Sequence, residues 1–269
     1  MHHYMITVSY DGSSWEGWQT HGRNTSLKPV TIQDNIELSL SRLLGSRVKI
    51  SGSGRTDAGV HALAQTADFF CSDKLDSRRF AKEINKLLPE TIKITSVREV
   101  PAEFHSRKSA VSKTYAYFVS LSGKPDVFYS RYLYNPCQPP LSLGEGSFCE
   151  PDVKKMYSAA KLLSGTHDFK AFTTDKTPGK SYVRTITDIS IQTNSFSSGC
   201  RYMKMQFTGN GFLYNMVRIL SGTILEVGYG KITEQQVSYA LSSGIRSCAG
   251  ATLPSNALFL CSVEYPPYF

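Results

Sequence analysis

The chain has 269 residues, of which 41% are hydrophobic and 19% charged, and it carries a net charge of +8 with a pI of about 9.1. That balance excludes a disordered or fibrous chain and admits one large domain or two of ordinary size, while the surplus of Lys and Arg favours a polyanionic partner. Its six cysteines form no C-x-x-C pair and its six histidines no ligand spacing, so reduced thiols and no metal site are expected.

In chain order, residues 5–10 read as a strand, followed by a loop holding Trp15, Gly17 and Trp18. A helix starts after Thr31, a capping residue with Asp34 three positions on, and Ile32, Ile36, Leu40, Leu43 and Leu44 form its apolar stripe. Residues 48–51 and 65–70 are short strands. A second helix carries Phe80, Ile84, Leu87 and Leu88 and ends at Pro89, and residues 92–100 close the set as a strand. The order β-α-β-β-α-β is the split ferredoxin-like arrangement. No apolar run nears the ~18 residues of a membrane span. The start runs straight into a strand without a signal peptide, so a cytoplasmic location is expected and the sequon Asn24-Thr25-Ser26 reads as accidental.

The second half repeats that order loosely. Residues 113–120 are a strand, and Val153, Met156, Ala160 and Leu163 mark a helix. Strands at 185–192 and 201–208 flank a turn at 195–199, helical segments follow at 216–225 and 234–241, and residues 258–264 make a last strand. The expected fold is α+β, with two ferredoxin-like halves sharing a largely antiparallel sheet and helices packed on it. The halves are residues 1–105 and 106–269, the second with a Pro-, Ser- and Gly-rich insertion near 125–151.

One segment concentrates the chemistry: Gly52-Ser53-Gly54-Arg55-Thr56-Asp57-Ala58-Gly59-Val60-His61-Ala62. It lies between two expected strands and is too rich in glycine for helix or core. Arg55 two residues before Asp57 could hold that carboxylate ionised, ready to act as nucleophile or base. A polar turn with an internal salt bridge fits the same residues, and both readings stand at this point. Two phosphate-loop readings fail. Asp57 occupies the third glycine of G-x-G-x-x-G, and Gly179-Lys180-Ser181 has Thr174 where a Walker loop needs its leading glycine.

The segment Gly54-Arg55-Thr56-Asp57-Ala58-Gly59-Val60-His61-Ala62 resembles the nucleophile motif of the TruA-type tRNA pseudouridine synthases. So do Tyr10-Asp11-Gly12 with Gly17-Trp18-Gln19, Phe104-His105-Ser106-Arg107 with Ser109-Ala110, and Lys113-Thr114-Tyr115. Gly165-Thr166-His167-Asp168-Phe169, Arg184-Thr185-Ile186, Gly209-Asn210-Gly211-Phe212-Leu213 with Met216-Val217-Arg218, and Ala249-Gly250-Ala251-Thr252 with Pro254 continue the resemblance. The matches run in the family's order over nearly the whole chain. Lys113 stands where many members have Arg, and Ala257 where Gly is more usual.

The resemblance implies a pseudouridine synthase fold and isomerisation of uridine to pseudouridine in the anticodon stem-loop of tRNA, by a homodimer without cofactor or metal. It makes Asp57 the nucleophile, on ribose or base, and Arg218 the cation that keeps the carboxylate ionised. Tyr115 becomes the ring that stacks on the target uracil. Arg55 would contact backbone or fill the space left by a flipped base. Arg78, Arg79, Lys108, Lys113, Lys154 and Lys155 are candidates for tracking the tRNA backbone. The alternatives are a paralogous synthase acting on other RNA positions and a non-catalytic tRNA-binding protein. A glycoside hydrolase would need a second distinctive carboxylate, which the sequence lacks.

Overall fold

The computed structural model describes residues 1–19, 30–124, 126–143 and 149–267. The chain divides into two compact units, Met1–Lys113 with Phe259–Phe269 and Thr114–Leu258. The expected division lay between 105 and 106; the compact units part between 113 and 114, and most of the last strand belongs to the first unit. The sequon at 24–26, and residues 125 and 144–148 of the expected insertion, lie outside the described residues.

In the first unit, strand β1 (His2–Tyr10) pairs antiparallel with β3 (His61–Cys71) on one side and β4 (Ile92–Glu99) on the other. From Ile6 on, burial alternates through Val8 and Tyr10, as a strand with one face on a core requires, whereas His3, Tyr4 and Met5 are all buried. Helix α1 (Ile32–Leu44) adds Ile32, Ile36 and Leu40 to that core, and α2 (Ser77–Leu87) adds Phe80 and Ile84. Thr31 caps α1 by accepting the Asp34 N–H at 3.2 Å, and left-handed Gly45 ends it. Pro89 bars continuation of α2, so Leu88 is already extended.

Strand β2 is only Ser51–Gly52, shorter than the expected 48–51. Side chains of α1 take the backbone groups just before it: Ile50 N–H donates to Glu37 Oε1 at 3.2 Å, and Gln33 Nε2 donates to the Ile50 carbonyl at 3.3 Å. A residue satisfied by side chains has nothing left for a strand partner. Conversely, β3 begins four residues before its expected start. Its first residues pair in parallel with β9 (Leu258–Glu264), His61 opposite Phe259 and Ala62 opposite Leu260. That pairing draws the C-terminal strand into the first unit.

In the second unit the strands run in the order β5 (Ser112–Ser120), β8 (Arg201–Gly209), β7 (Val183–Ser195), β6 (Gly165–Asp168). Strands β6, β7 and β8 form an antiparallel meander. Helix α3 (Val153–Leu163) buries Met156, Ala159, Ala160 and Leu163, and α5 (Glu234–Ser243) opens with a capping box between Thr233 and Gln236. Helix α4 (Met216–Gly228) is buried almost all round, the mark of a core helix. Both units are α+β with largely antiparallel strands, as expected. Among the described residues no helix is long and apolar enough to cross a membrane.

Candidate active site

The glycine-rich segment leaves β2 and returns as β3, with residues 53–60 as the loop between them. Its entry is tied to β3. Ser53 N–H donates to the Thr66 carbonyl at 2.7 Å, and the Ser53 hydroxyl to Gln65 Oε1 at 2.6 Å. Gln65 Nε2 then donates to the Gly54 carbonyl at 2.9 Å. Ser53 and Gln65 are completely buried, so these bonds replace water rather than compete with it.

The middle of the loop is held from β1 and the loop after it. Tyr10 Oη and Thr56 Oγ1 share a hydrogen bond of 2.7 Å, and Trp18 N–H donates to the Thr56 carbonyl at 3.0 Å. Burial drives the Tyr10 phenol well above its ordinary value, so it stays protonated. The exit is a turn closed by Val60 N–H on the Asp57 carbonyl at 3.2 Å. Its third residue, Gly59, has φ +80°, a conformation that glycine adopts without strain. Gly12 packs so tightly on the turn that a Cβ there would lie 2.0 Å from the Val60 carbonyl oxygen. Next in the chain, His61 is buried, stacked on Phe259 at 4.5 Å. Its Nδ1 accepts from Gly12 N–H at 3.1 Å and lies 3.1 Å from Asp11 Oδ1.

Between these anchors, Asp57 is half-buried and Arg55 exposed. Arg55 makes no ion pair or hydrogen bond with any described residue, so the internal Arg55–Asp57 salt bridge of the sequence reading is not formed, and Arg55 is exposed. The cation that does reach the loop is Lys113. Its Nζ donates to the Ser53 carbonyl, and a Cβ at Gly54 would stand 3.1 Å from it. Burial, and secondarily the nearby Arg107 guanidinium, pull this ammonium from its usual 10.5 to about 8.

The segment Phe104-His105-Ser106-Arg107 is fixed to the same strand. Ser106 N–H donates to Asp68 Oδ1 at 2.8 Å, and Asp68 Oδ2 faces His3 Nε2 at 3.1 Å. The Ser106 hydroxyl lies between that carboxylate and the Ser51 carbonyl, and Tyr265 Oη donates to the Ser106 carbonyl at 2.7 Å. This buried network sets the position of β2, and so of the loop's entry.

In the second unit, Tyr115 lies on β5, 8% exposed, its ring edge-on to Phe212 at 5.3 Å. Tyr117, two residues on, is wholly buried and donates to the Pro254 carbonyl at 2.8 Å. Arg218 sits in the first turn of α4. Its Nε donates to the Leu253 carbonyl and its Nη1 to Asn215 Oδ1, both at 2.6 Å. Asn215, with φ +60°, is one of the few residues outside glycine in the left-handed region, and its amide also donates to Thr174 Oγ1 at 2.9 Å. Such a cost is borne where the side chain is needed in place. The Ala249-Gly250-Ala251-Thr252 motif lies on α4, with Gly250 N–H donating to Thr223 Oγ1 and Ala251 N–H to Glu226 Oε1, each at 2.9 Å. It delivers the Leu253 carbonyl that orients Arg218.

The other basic candidates are exposed: Arg78 and Arg79 open α2, Lys154 and Lys155 open α3, and Lys108 precedes β5. Three functional contributions escaped the sequence reading. Lys113 braces the loop, Gln65 ties its entry, and Asn215 aims Arg218. The glycine-flanked serine signalled a constrained loop, but nothing local named the groups that constrain it.

The first unit is thus an α+β fold that carries a glycine-rich aspartate loop braced by the rest of that unit, and the second an α+β fold that holds the Tyr115 and Arg218 side chains in place. The family model described as tRNA pseudouridine synthase matches residues 6–107 and 159–266, and the chain belongs to that family. The tRNA pseudouridine synthase A of Acetivibrio thermocellus is 36% identical over 98% of this chain and all of its own length. A tRNA pseudouridine synthase A 2 from Clostridium tetani is 38% identical over 97% of both, and one from Bacillus cereus 35% identical over 98% of this chain. Among solved structures, a chain of a Cbf5-Nop10-Gar1 complex aligns over 95% of this chain and 57% of its own at 11% identity, with a TM-score of 0.32, too distant to bear on the fold.

Proposed function

We propose that this protein isomerises uridine to pseudouridine in the anticodon stem-loop of tRNA, with the Asp57 carboxylate as nucleophile and no cofactor. In this reaction the bond between ribose C1′ and N1 breaks, the base turns, and C5 bonds to C1′. The proton leaving C5 is balanced by one taken up at N1, so neither oxidant nor energy source is consumed. Tyr115 is the ring on which the extruded uracil stacks, a contact of roughly 1–3 kcal/mol that offsets much of the cost of unstacking the nucleotide. Arg218 is the cation that keeps the carboxylate ionised. Arg55, exposed and without a protein partner among the described residues, fills the place the base vacates. The enzyme acts as a homodimer in the cytoplasm, a reading that rests on the resemblance; light scattering of the purified protein tests the dimer and cell fractionation the compartment.

The observation that carries the reading is the loop itself, in a chain of this family. Its backbone is anchored before, at and after the reactive residue, so a half-buried Asp57 is presented in one geometry. The test is tritium release from tRNA labelled at uridine C5. Wild type releases label without added metal or nucleotide, and Asp57→Asn lowers the rate by about three orders of magnitude or more while still binding tRNA. Binding with no release by wild type from any tRNA pool would leave a tRNA-binding protein and overturn the reading.

A further inference from the structure

The ammonium of Lys113 is placed at odds with its surroundings. It is half-buried, and among the described residues its one acceptor is the Ser53 carbonyl and no Asp or Glu forms an ion pair with it. The charge that acts on it is that of another cation, Arg107, and the loop it touches carries a third, Arg55, beside the single acid Asp57. A partly buried charge without a counter-charge is costly: the group gives up its proton more readily, or gains a partner on binding. Ser53 needs no charged donor, since its carbonyl would accept from any neutral group.

We propose that Lys113 receives a backbone phosphate of the RNA next to the nucleotide held at Asp57, so that the substrate completes an ion pair the protein leaves unfinished. This rests on the tRNA reading above and deepens it, by assigning a phosphodiester subsite to the catalytic loop. Two observations in the structure favour a phosphate. The charge of Arg107 acts on Lys113, and the loop that Lys113 touches carries Arg55 and a single acid, Asp57; and the Lys113 ammonium lies against Gly54, three residues along the chain from Asp57. A point charge on a flexible stem suits a phosphate oxygen. With its ammonium pulled down to about 8, Lys113 gives up its proton more readily than a free lysine; an arriving phosphate restores the charge, so binding takes up a proton.

The experiment uses the whole protein and an unmodified tRNA transcript as probe. Calorimetry at about pH 8 in two buffers of different ionisation heat should show uptake of roughly half a proton per site in wild type and none in Lys113→Arg, whose guanidinium never deprotonates. The difference between the two isolates Lys113 from Asp57, Arg55 and Arg107, the charged groups around it. Lys113→Met should bind about 10-fold more weakly and lower the slope of log affinity against log salt by about one, and Lys113→Arg should restore both. Equal proton uptake in wild type and Lys113→Arg, or a wild-type salt slope in Lys113→Met, would overturn the proposal and leave Lys113 a brace for the loop. Failure of tritium release in wild type, with the Lys113 effects intact, would sink the catalytic reading and keep the phosphate subsite.

Discussion

Two loops of this chain are alike as sequence: residues 53–60 and 175–181 are both polar, both carry glycine and a single Asp, and both invite a search for a site. They differ in what holds them. The first is fastened by groups from elsewhere, with Tyr10 and Trp18 from the N-terminal segment, Gln65 and Thr66 from β3, and Lys113 from the start of β5. The second fastens itself. Asp175 accepts from Thr177 and pairs with Lys180, Tyr182 Oη donates to the Thr177 carbonyl, and Gly179 has open space around it. A loop shaped by distant parts of the fold can hold a side chain against its own preference, whereas a self-tied loop only saves its own entropy. That contrast, rather than the residue types, separates a candidate active loop from a surface turn.

The sharpest way to break the comparison is to add one methyl group to each loop's glycine packing. Gly12→Ala drives a Cβ to 2.0 Å from the Val60 carbonyl oxygen, a backbone atom that cannot swing aside. We expect a loss of about 3 kcal/mol in urea melts, with tritium release falling further than stability because Asp57 shifts with the turn. Gly179→Ala meets nothing within 4 Å and pays only for its left-handed φ of +74°, about 1 kcal/mol, with activity unchanged. Equal losses in the two variants would mean that the catalytic loop is no more constrained than the surface one.

Lys113 sharpens the comparison through pH. Its folded value of about 8 lies below the 10.5 of the unfolded chain, so between those values the unfolded state binds more protons and stability rises with pH. Below about pH 8 both states are protonated and the cost of the buried charge is present in full. Wild type should therefore gain on the order of 2 kcal/mol relative to Lys113→Met between about pH 7 and pH 10. Urea melts of both at the two pH values give the answer. A constant difference would place the ammonium in water and remove the strain on which its role depends.

How much of this was legible in the sequence follows the same division. Helix α1 could be read from Thr31, Asp34 and the Ile32–Ile36–Leu40 spacing because capping and burial repeat every turn within one segment. Strand β6 was missed: Gly165-Thr166-His167-Asp168 has no buried alternation and is a strand only because β7 offers Ile186, Thr185, Arg184 and Val183 as partners. The start of β3 was missed for the same reason, its partner Phe259 lying at the far end of the chain. At the site, Asp57 announced itself through its neighbours. The Arg55–Asp57 pairing misled, because the spacing i, i+2 sets two side chains on one face only in extended backbone, and this segment bends at 53–54 and turns at 58–59. Lys113 and Gln65 act on the loop from distant positions, and no local pattern records such a contact.

The smallest expected effect tests the self-tied loop. Hydrogen bonds from Lys180, and then from Thr177, hold the Asp175 carboxyl well below the usual carboxylate range, and a depressed acid stabilises the fold above that range and loses the contribution as pH falls. Yet the partners covering Asp175 belong to its own loop, with water and salt beyond them. Ion pairs of that kind are screened, and ordering two side chains consumes most of what they gain. Lys180→Ala should therefore raise the acid titration of Asp175, read by carbon NMR of its carboxyl group, while melting temperature and tritium release stay where they were. A drop in release with the melting temperature unchanged would show residues 175–181 taking part in substrate binding. The distinction between a loop held by the fold and a loop held by itself would then no longer predict where function lies.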